Sequence, residues 1–271
     1  MIKIIGGYKL EYLKLKELQN EELKIAIEID KFCNENNIKY FLSSGSLLGA
    51  IRHHGFIPWD DDMDMYMARE DYDRFCNIFS HPNLIIKYCE NGTLHAPFAK
   101  VCNPNIIVES ETLGDEDNSL LWVDIFPIDG AAETKYEQEK RFKKVSFLSK
   151  LLMTNRSIYY PSKNPVKNIF KYLFYFYCKH LSKKRIVKIS QKISNFLRQI
   201  PTFSTGYVTN TLWPAVYPAE ILKERAKYDF DGYEFYSFKD YDLYLTNAYG
   251  DYMTLPPEDK RECHYLKAYH R

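Results

Sequence analysis

Long apolar runs are missing from this sequence. No segment approaches the ~20 consecutive apolar residues of a bilayer-spanning helix, so an integral helical membrane protein is excluded. Met1–Gly7 is too short an apolar run for a secretion signal, and a charged helix follows it. Cysteines are few and scattered (Cys33, Cys76, Cys89, Cys102, Cys178 and Cys263), with no C-x-x-C. Neither a disulfide framework nor a zinc cluster is expected, and a reducing, cytoplasmic setting follows. There is no internal repeat, no low-complexity tract, and no glycine between positions 135 and 200.

What is present suits an ordinary globular protein. The 271 residues, 45% hydrophobic and 27% charged, suffice for one large domain or two small ones with a buried core. The net charge of +1 hides an asymmetry. Residues 135–200 carry 17 Lys and Arg against two acids, a net of +15, while the rest of the chain has 20 basic and 34 acidic residues, a net of −14.

Hydrophobic spacing predicts a helix over 11–36, a short strand at 38–42, a turn at Ser43–Ser46 and a second short helix from Leu47. Residues 62–67 alternate as a strand and 69–79 form the next helix. Strands are expected at 84–89, 97–102 and 120–129, the last ending at Pro127. This mixture is α/β in type. The glycine-free basic middle is helical, broken by Pro161 and Pro165 into at least two helices.

The sequence "IPWDDDMDMYM" (57–67) sets four aspartates within five positions, an arrangement that like-charge repulsion opposes. On a strand, Asp62, Asp64 and Tyr66 share one face and Met63, Met65 and Met67 the other. The methionines can enter a core while two carboxylates converge on a hard divalent cation such as Mg²⁺, or Mn²⁺ in its place. A solvated acidic loop near Arg69 is the plainer alternative. Two features favour the metal. Gly45-Ser46 lies between strand and helix, where backbone N–H groups can cradle a phosphate. Asp124 interrupts the apolar strand "WVDIF", and a carboxylate there needs a counter-charge.

Together, "GSLLGAIRHHGFIPWDDDMDMYM", "WVDIFPIDG" and the terminal "YGDYMTLPP…R…H" closely resemble the LicD family of phosphotransferases, relatives of fukutin and fukutin-related protein. The likeness covers residues 12–130 and 205–265 and is weakest over the basic middle. It implies a nucleotidyltransferase-like mixed sheet flanked by helices (α/β, or α+β), with a basic helical insertion and a C-terminal extension. The expected division is a catalytic core over 1–134, the basic helical region over 135–204 and a C-terminal segment over 205–271 packing back on the core. The implied reaction is Mg²⁺-dependent transfer of phosphocholine from CDP-choline to a sugar hydroxyl of a teichoic-acid or other cell-surface glycan precursor, with release of CMP. Glycerol- or ribitol-phosphate transfer, true nucleotidyl transfer and a non-catalytic membrane scaffold are the alternatives.

By position, the resemblance makes Asp62, Asp64 and Asp124 the catalytic metal ligands and Gly45 and Ser46 the phosphate cradle. It adds Asp60, with Asp61 less firmly placed, and brings Arg261 and His264 back towards the site; His264 is the substrate-contact candidate. Arg52 and Lys100 are candidate phosphate donors. Trp59, Trp122, Trp213 and Tyr217 are aromatic candidates for a choline ammonium. Asp251, in the turn after Gly250, is a further acidic candidate.

The expected partners are a CDP-alcohol donor and a lipid-linked glycan acceptor, with no nucleic acid. Residues 163–200 alternate cationic with aromatic and aliphatic side chains, and Phe170, Phe174, Tyr177, Leu181 and Lys184 are expected on one helical stripe. This suggests peripheral contact with an anionic membrane, at its inner, cytoplasmic face. A helical cap packed on the core, with a solvated basic face, is the alternative.

Overall fold

The computed structural model describes residues 2–5, 8–110, 119–210, 215–261 and 266–271. Strands β1 (Ile2–Ile5) and β2 (Tyr8–Glu11) form a separate antiparallel pair. Helix α1 (Leu15–Glu35) follows and buries Leu18, Ile25, Ala26, Ile29 and Cys33 along one stripe. That stripe also buries Gln19, Glu22 and Asp30. Asp30 is satisfied by hydroxyls of Tyr40 (2.5 Å) and Tyr233 (2.8 Å).

The central sheet is mixed. Its elements are β3 (Phe41–Leu42), β4 (Asp64–Ala68), β5 (Ile85–Tyr88), β6 (Ala99–Ser110), β7 (Ser119–Gly130), β8 (Tyr207–Asn210), β9 (Val216–Pro218) and β12 (Leu266–His270). The main path runs β12-β6-β7-β4-β3; β5 joins β6, and β8 joins β7 and β9. Among the described residues only the β4–β7 pairing in this sheet is parallel. Helix α2 (Ser44–His53) connects β3 to β4, and α3 (Arg69–Ile78) follows β4. α1 packs against β6 and β7, and α3 against β4 and β7.

Several boundaries differ from the sequence reading: α1 starts at Leu15 rather than at 11, β4 is Asp64–Ala68 rather than 62–67, β6 runs Ala99–Ser110 rather than 97–102, and three further differences have a local reason. α2 begins at Ser44, so Gly45 and Ser46 form its first turn and do not lie in a loop before it. The strand at 38–42 shrinks to Phe41–Leu42, the two residues that pair with Tyr66 and Met65. β7 continues past Pro127 to Gly130. Pairing with β6 stops at Ile125 and pairing with β8 starts at Ile128, so the proline falls where neither strand needs its missing N–H.

The basic middle is three helices: α4 (Lys135–Arg156), α5 (Pro165–Lys179) and α6 (Lys183–Leu197). The additional break comes at Ser182, which caps α6 by accepting from the Arg185 amide. Leu181 therefore lies in a turn and Lys184 in the next helix, and the single stripe expected through 170–184 does not form. The three helices share their own apolar cluster, built from Val145, Leu148, Leu152, Cys178, Ile186 and Ile193. Arg198 joins this unit to α3 by a bidentate contact with Asp73 (3.1 and 2.7 Å) and an ion pair with Glu90 (2.8 Å).

The hairpin of β10 (Arg225–Phe230) and β11 (Tyr233–Phe238) adds Phe230, Phe235 and Phe238 to the main core. Phe238 stacks on Phe41 and on Tyr244 of α7 (Tyr241–Tyr249). The described cysteines 33, 76, 89, 102 and 178 are buried and free.

Candidate active site

One transverse row of the sheet sets the site. Lys87 of β5, Lys100 of β6, Asp124 of β7 and Asp64 of β4 are successive cross-strand partners. Asp64 and Asp124 face each other in parallel register, and the Asp124 amide donates to the Met63 carbonyl at 2.9 Å. Asp62 precedes β4 by two residues and so presents on the same face. The result is a carboxylate oxygen from each of Asp62, Asp64 and Asp124, all within 4.8 Å of one another. Met63, Met65 and Met67 point the other way and are buried, as the alternation required.

Like charges directly opposite on adjacent strands destabilise a sheet. Burial, then Asp62 and Asp124, push the Asp64 carboxyl well above the usual carboxylate range. The surrounding chain holds it in place regardless. Its amide donates to Ser46 Oγ at 2.8 Å, and its carbonyl accepts from the Ser43 amide at 3.1 Å. Ser44, the first residue of α2, has φ +48°, a region few non-glycine residues occupy. Gly45 is required by proximity: a Cβ there would lie 2.6 Å from Asp60 Oδ2. Asp60 in turn accepts from Gln19 of α1 through its carbonyl (2.8 Å) and from the Asp61 amide through its carboxylate (3.2 Å). Asp61 is buried, and its Oδ2 accepts the Leu266 amide (2.8 Å), which fixes the start of β12.

The cationic side is equally specific. Lys100 Nζ lies 3.3 Å from Asp124 Oδ1 and 3.4 Å from the centre of the Trp122 ring. Trp122 Nε1 donates to Asp124 Oδ2 at 2.9 Å, which fixes the carboxylate plane. Burial lowers the affinity of Lys100 for its proton; Asp124 opposes this and Arg156 adds to it. Arg156 ends α4, so the basic insertion delivers a cation to this edge of the site.

Other expected residues are placed less centrally. Arg52 donates from Nη1 to the Tyr252 carbonyl (2.6 Å) and from Nε to His53 (3.0 Å), tying α2 to the C-terminal segment. Arg261 does fold back, with its guanidinium 4.4 Å over the Trp59 ring beside Asp60. Tyr217 stacks on Tyr244. Asp251 is exposed and accepts from the Thr254 hydroxyl at 2.7 Å. His264, Cys263 and Trp213 lie outside the described residues.

Three contributors escaped the sequence reading. Arg156 is one. Tyr249 is another: burial of its phenol end, then Tyr244 and the charges of Asp64, Asp60 and Asp62, raise its phenol, although the residue as a whole is 45% exposed. The third is Glu22. It is fully buried, neither carboxylate oxygen has a hydrogen-bond partner, and burial followed by Asp62, Asp61, Asp60 and Asp124 raises its pKa well above the ordinary value. The signal was available, since Glu22 interrupts the apolar stripe running from Leu18 to Ile25 and Ile29.

The residues fit a hard divalent cation. Three carboxylate oxygens converge, and Asp124 Oδ1 has no aligned hydrogen bond even with Lys100 nearby. Among the described residues the group is all carboxylate, the ligand type that Mg²⁺ and Mn²⁺ favour.

Residues 37–163 match the family model described as LicD/FKTN/FKRP, nucleotidyltransferase domain. That span holds α2, β4, the aspartate triad, Lys100 and Arg156. Over those residues the chain is similar to the LicD family. It is 29% identical over 274 aligned positions to the lipopolysaccharide cholinephosphotransferase LicD of Haemophilus influenzae, covering 95% of this chain and 98% of that protein. A 34-residue segment is 53% identical to the human ribitol 5-phosphate transferase FKRP, covering 12% of this chain and 7% of FKRP. A 37-residue segment is 60% identical to an uncharacterized protein of Rickettsia prowazekii, covering 14% of each chain. The candidate site is thus one sheet row and one helix turn, with a cation from the basic helices at its edge.

Proposed function

We propose that this protein is a phosphotransferase of the LicD type that moves phosphocholine from CDP-choline to a sugar hydroxyl of a teichoic-acid or other cell-surface glycan precursor, releasing CMP. The observation that carries the reading is the convergence of Asp62, Asp64 and Asp124 within 4.8 Å, faced by Lys100. The preference for choline over a polyol rests on the cholinephosphotransferase, whose likeness extends over nearly the whole chain. The shorter FKRP likeness keeps ribitol phosphate as the second reading.

Asp62, Asp64 and Asp124 would hold Mg²⁺, or Mn²⁺ in its place, and the bound ion would supply charge neutralisation to the diphosphate. The chain's own residues do the rest. Ser46 and Ser43 hold the Asp64 backbone so that its carboxylate stays opposite Asp124. Trp122 fixes the orientation of Asp124. Lys100 and Arg156 offer cationic groups to phosphate oxygens from the β6 side. The acceptor oxygen attacks the phosphorus bearing the choline, the bond to the CMP oxygen breaks, and the hydroxyl proton leaves to a carboxylate, for which Asp124 is the candidate. Phosphoryl transfer asks little covalent work of the protein, so positioning and electrostatics supply most of the rate. The ring of Trp59, next to Asp60 in the chain and already facing the Arg261 guanidinium, suits a quaternary ammonium.

A donor screen tests this. Purified protein with Mg²⁺ and a glycan acceptor is incubated with CDP-choline, CDP-glycerol, CDP-ribitol or CTP. Release of CMP from CDP-choline supports the reading. CMP from a CDP-polyol alone moves the assignment to polyol phosphate, and pyrophosphate from CTP replaces it with nucleotidyl transfer.

A further inference from the structure

Helix α5 is amphipathic in the wrong sense for a helix packed on a protein core. Its contacts with the neighbouring helices run through Phe174 and Cys178, and Tyr159 packs against Tyr175 and donates its hydroxyl to Asn168 Oδ1 at 2.7 Å. The opposite face is apolar and open. Val166, Ile169, Phe170, Leu173, Phe176 and Tyr177 recur at the spacing of one helical stripe, with Phe170 70% and Leu173 57% exposed. A contiguous apolar stripe of this length is larger than scattered surface residues produce and marks a binding surface.

The charge around it selects the occupant. No acidic residue occurs from Lys140 to Ala219, and the region 135–200 has a net charge of +15. Lys167 and Lys179 leave α5 on opposite flanks of the stripe, about 120° from its centre at ~100° per residue. Lys163 precedes the helix, and Lys183, Lys184 and Arg185 open the next one. Apolar side chains on one face, with long cationic side chains on both flanks, match an anionic bilayer surface: rings enter the acyl boundary while ammonium groups reach phosphate oxygens. A second copy would bring the same positive charge to the contact, and a nucleic acid would leave the apolar stripe without a partner. Among the described residues no helix is long and apolar enough to cross a membrane.

We propose that α5 is the element by which this protein docks on anionic lipid, lying flat in the interface along the 166/169/170/173/176/177 stripe. The inference stands on α5 and its surroundings, independently of the chemistry at the aspartates. It departs from the stripe read in sequence, because Phe174 and Leu181 pack inward.

The test is flotation of the full chain with vesicles of equal parts phosphatidylcholine and phosphatidylglycerol, beside vesicles of phosphatidylcholine alone, at low and high salt. Recovery with the anionic vesicles is expected at low salt, with loss at high salt and little with phosphatidylcholine alone. The Phe170→Ser/Leu173→Ser variant should lose about tenfold in vesicle affinity while retaining the melting temperature and its CMP release from a soluble donor and acceptor. No flotation of the unsubstituted chain, or equal flotation of the variant, overturns the proposal. So does a dimer in solution that the same substitutions dissociate, since the stripe would then be covered by a second copy.

Discussion

Lys100 and Asp124 are direct partners in the antiparallel β6–β7 ladder, and the Lys100 ammonium lies between the Asp124 carboxylate and the face of Trp122. A buried cation here balances part of a charge cluster that would otherwise be strongly negative. Replacing Lys100 by Met keeps the packing volume and removes the charge. We expect a fall in kcat/KM of roughly 10–100-fold, together with a lower melting temperature in chelator that added divalent ion largely restores. A variant that melts like the parent in chelator would show that Lys100 is not the counter-charge of Asp124.

Asp62→Asn and Asp64→Asn each remove a ligand charge with little change of shape. Each should lower CMP release by at least ~10²-fold. Both purified variants should remain folded by circular dichroism, and melting should no longer rise with Mg²⁺ as it does in the parent. Near-parental turnover in both would refute the assignment of these carboxylates.

Gly45→Ala puts a methyl group 2.6 Å from Asp60 Oδ2, inside van der Waals contact. Asp60 must move, and with it the turn that leads to Asp62. Ser46→Ala removes the acceptor of the Asp64 amide, at a cost of about 1–3 kcal/mol for an unsatisfied buried N–H. Chemical denaturation should show that loss for Ser46→Ala, and steady-state kinetics a lower kcat for both. Unchanged kcat in Gly45→Ala would mean that the Asp60 position does not matter to the reaction.

Glu22 gives the metal-free protein a pH dependence of known sign. Its carboxyl is raised above the ordinary 4.5 in the folded state, so the folded protein holds a proton that the unfolded chain releases. Its contribution to stability is therefore full at low pH and declines as pH rises above the unfolded value. Asp64, raised for similar reasons, acts in the same direction. Glu22→Gln should melt higher than the parent near neutral pH, by ~3 °C or more, and with a shallower decline between pH 5 and 8 in chelator. A parental slope in the variant would place the titration elsewhere.

The parts of the site that alternate along a strand were legible in the sequence. Asp62, Asp64 and the three methionines declare their faces through period two, and Asp124 stands out in an apolar run. What depends on long-range register was not legible. That Lys100 meets Asp124 follows from the offset between β6 and β7, which includes an irregularity between Asn103 and Ile107. Arg156 reaches the site only because α4 ends there, and one cation among 17 in a basic region carries no mark of its own. Three helices satisfy the expectation of at least two; the start of the third depends on the hydroxyl of Ser182, a weaker signal than proline.

The pairing of β4 beside β7 has a consequence for how this chain can vary. Successive side chains of a strand alternate sides, so sliding β4 by a single position would bring Met63 and Met65 into the cleft and drive two carboxylates into the oily interior. The segment from Ser46 to Asp64 therefore acts as a fixed-length ruler between hydroxyl and amide. Insertions of one residue inside it should abolish activity and folding together.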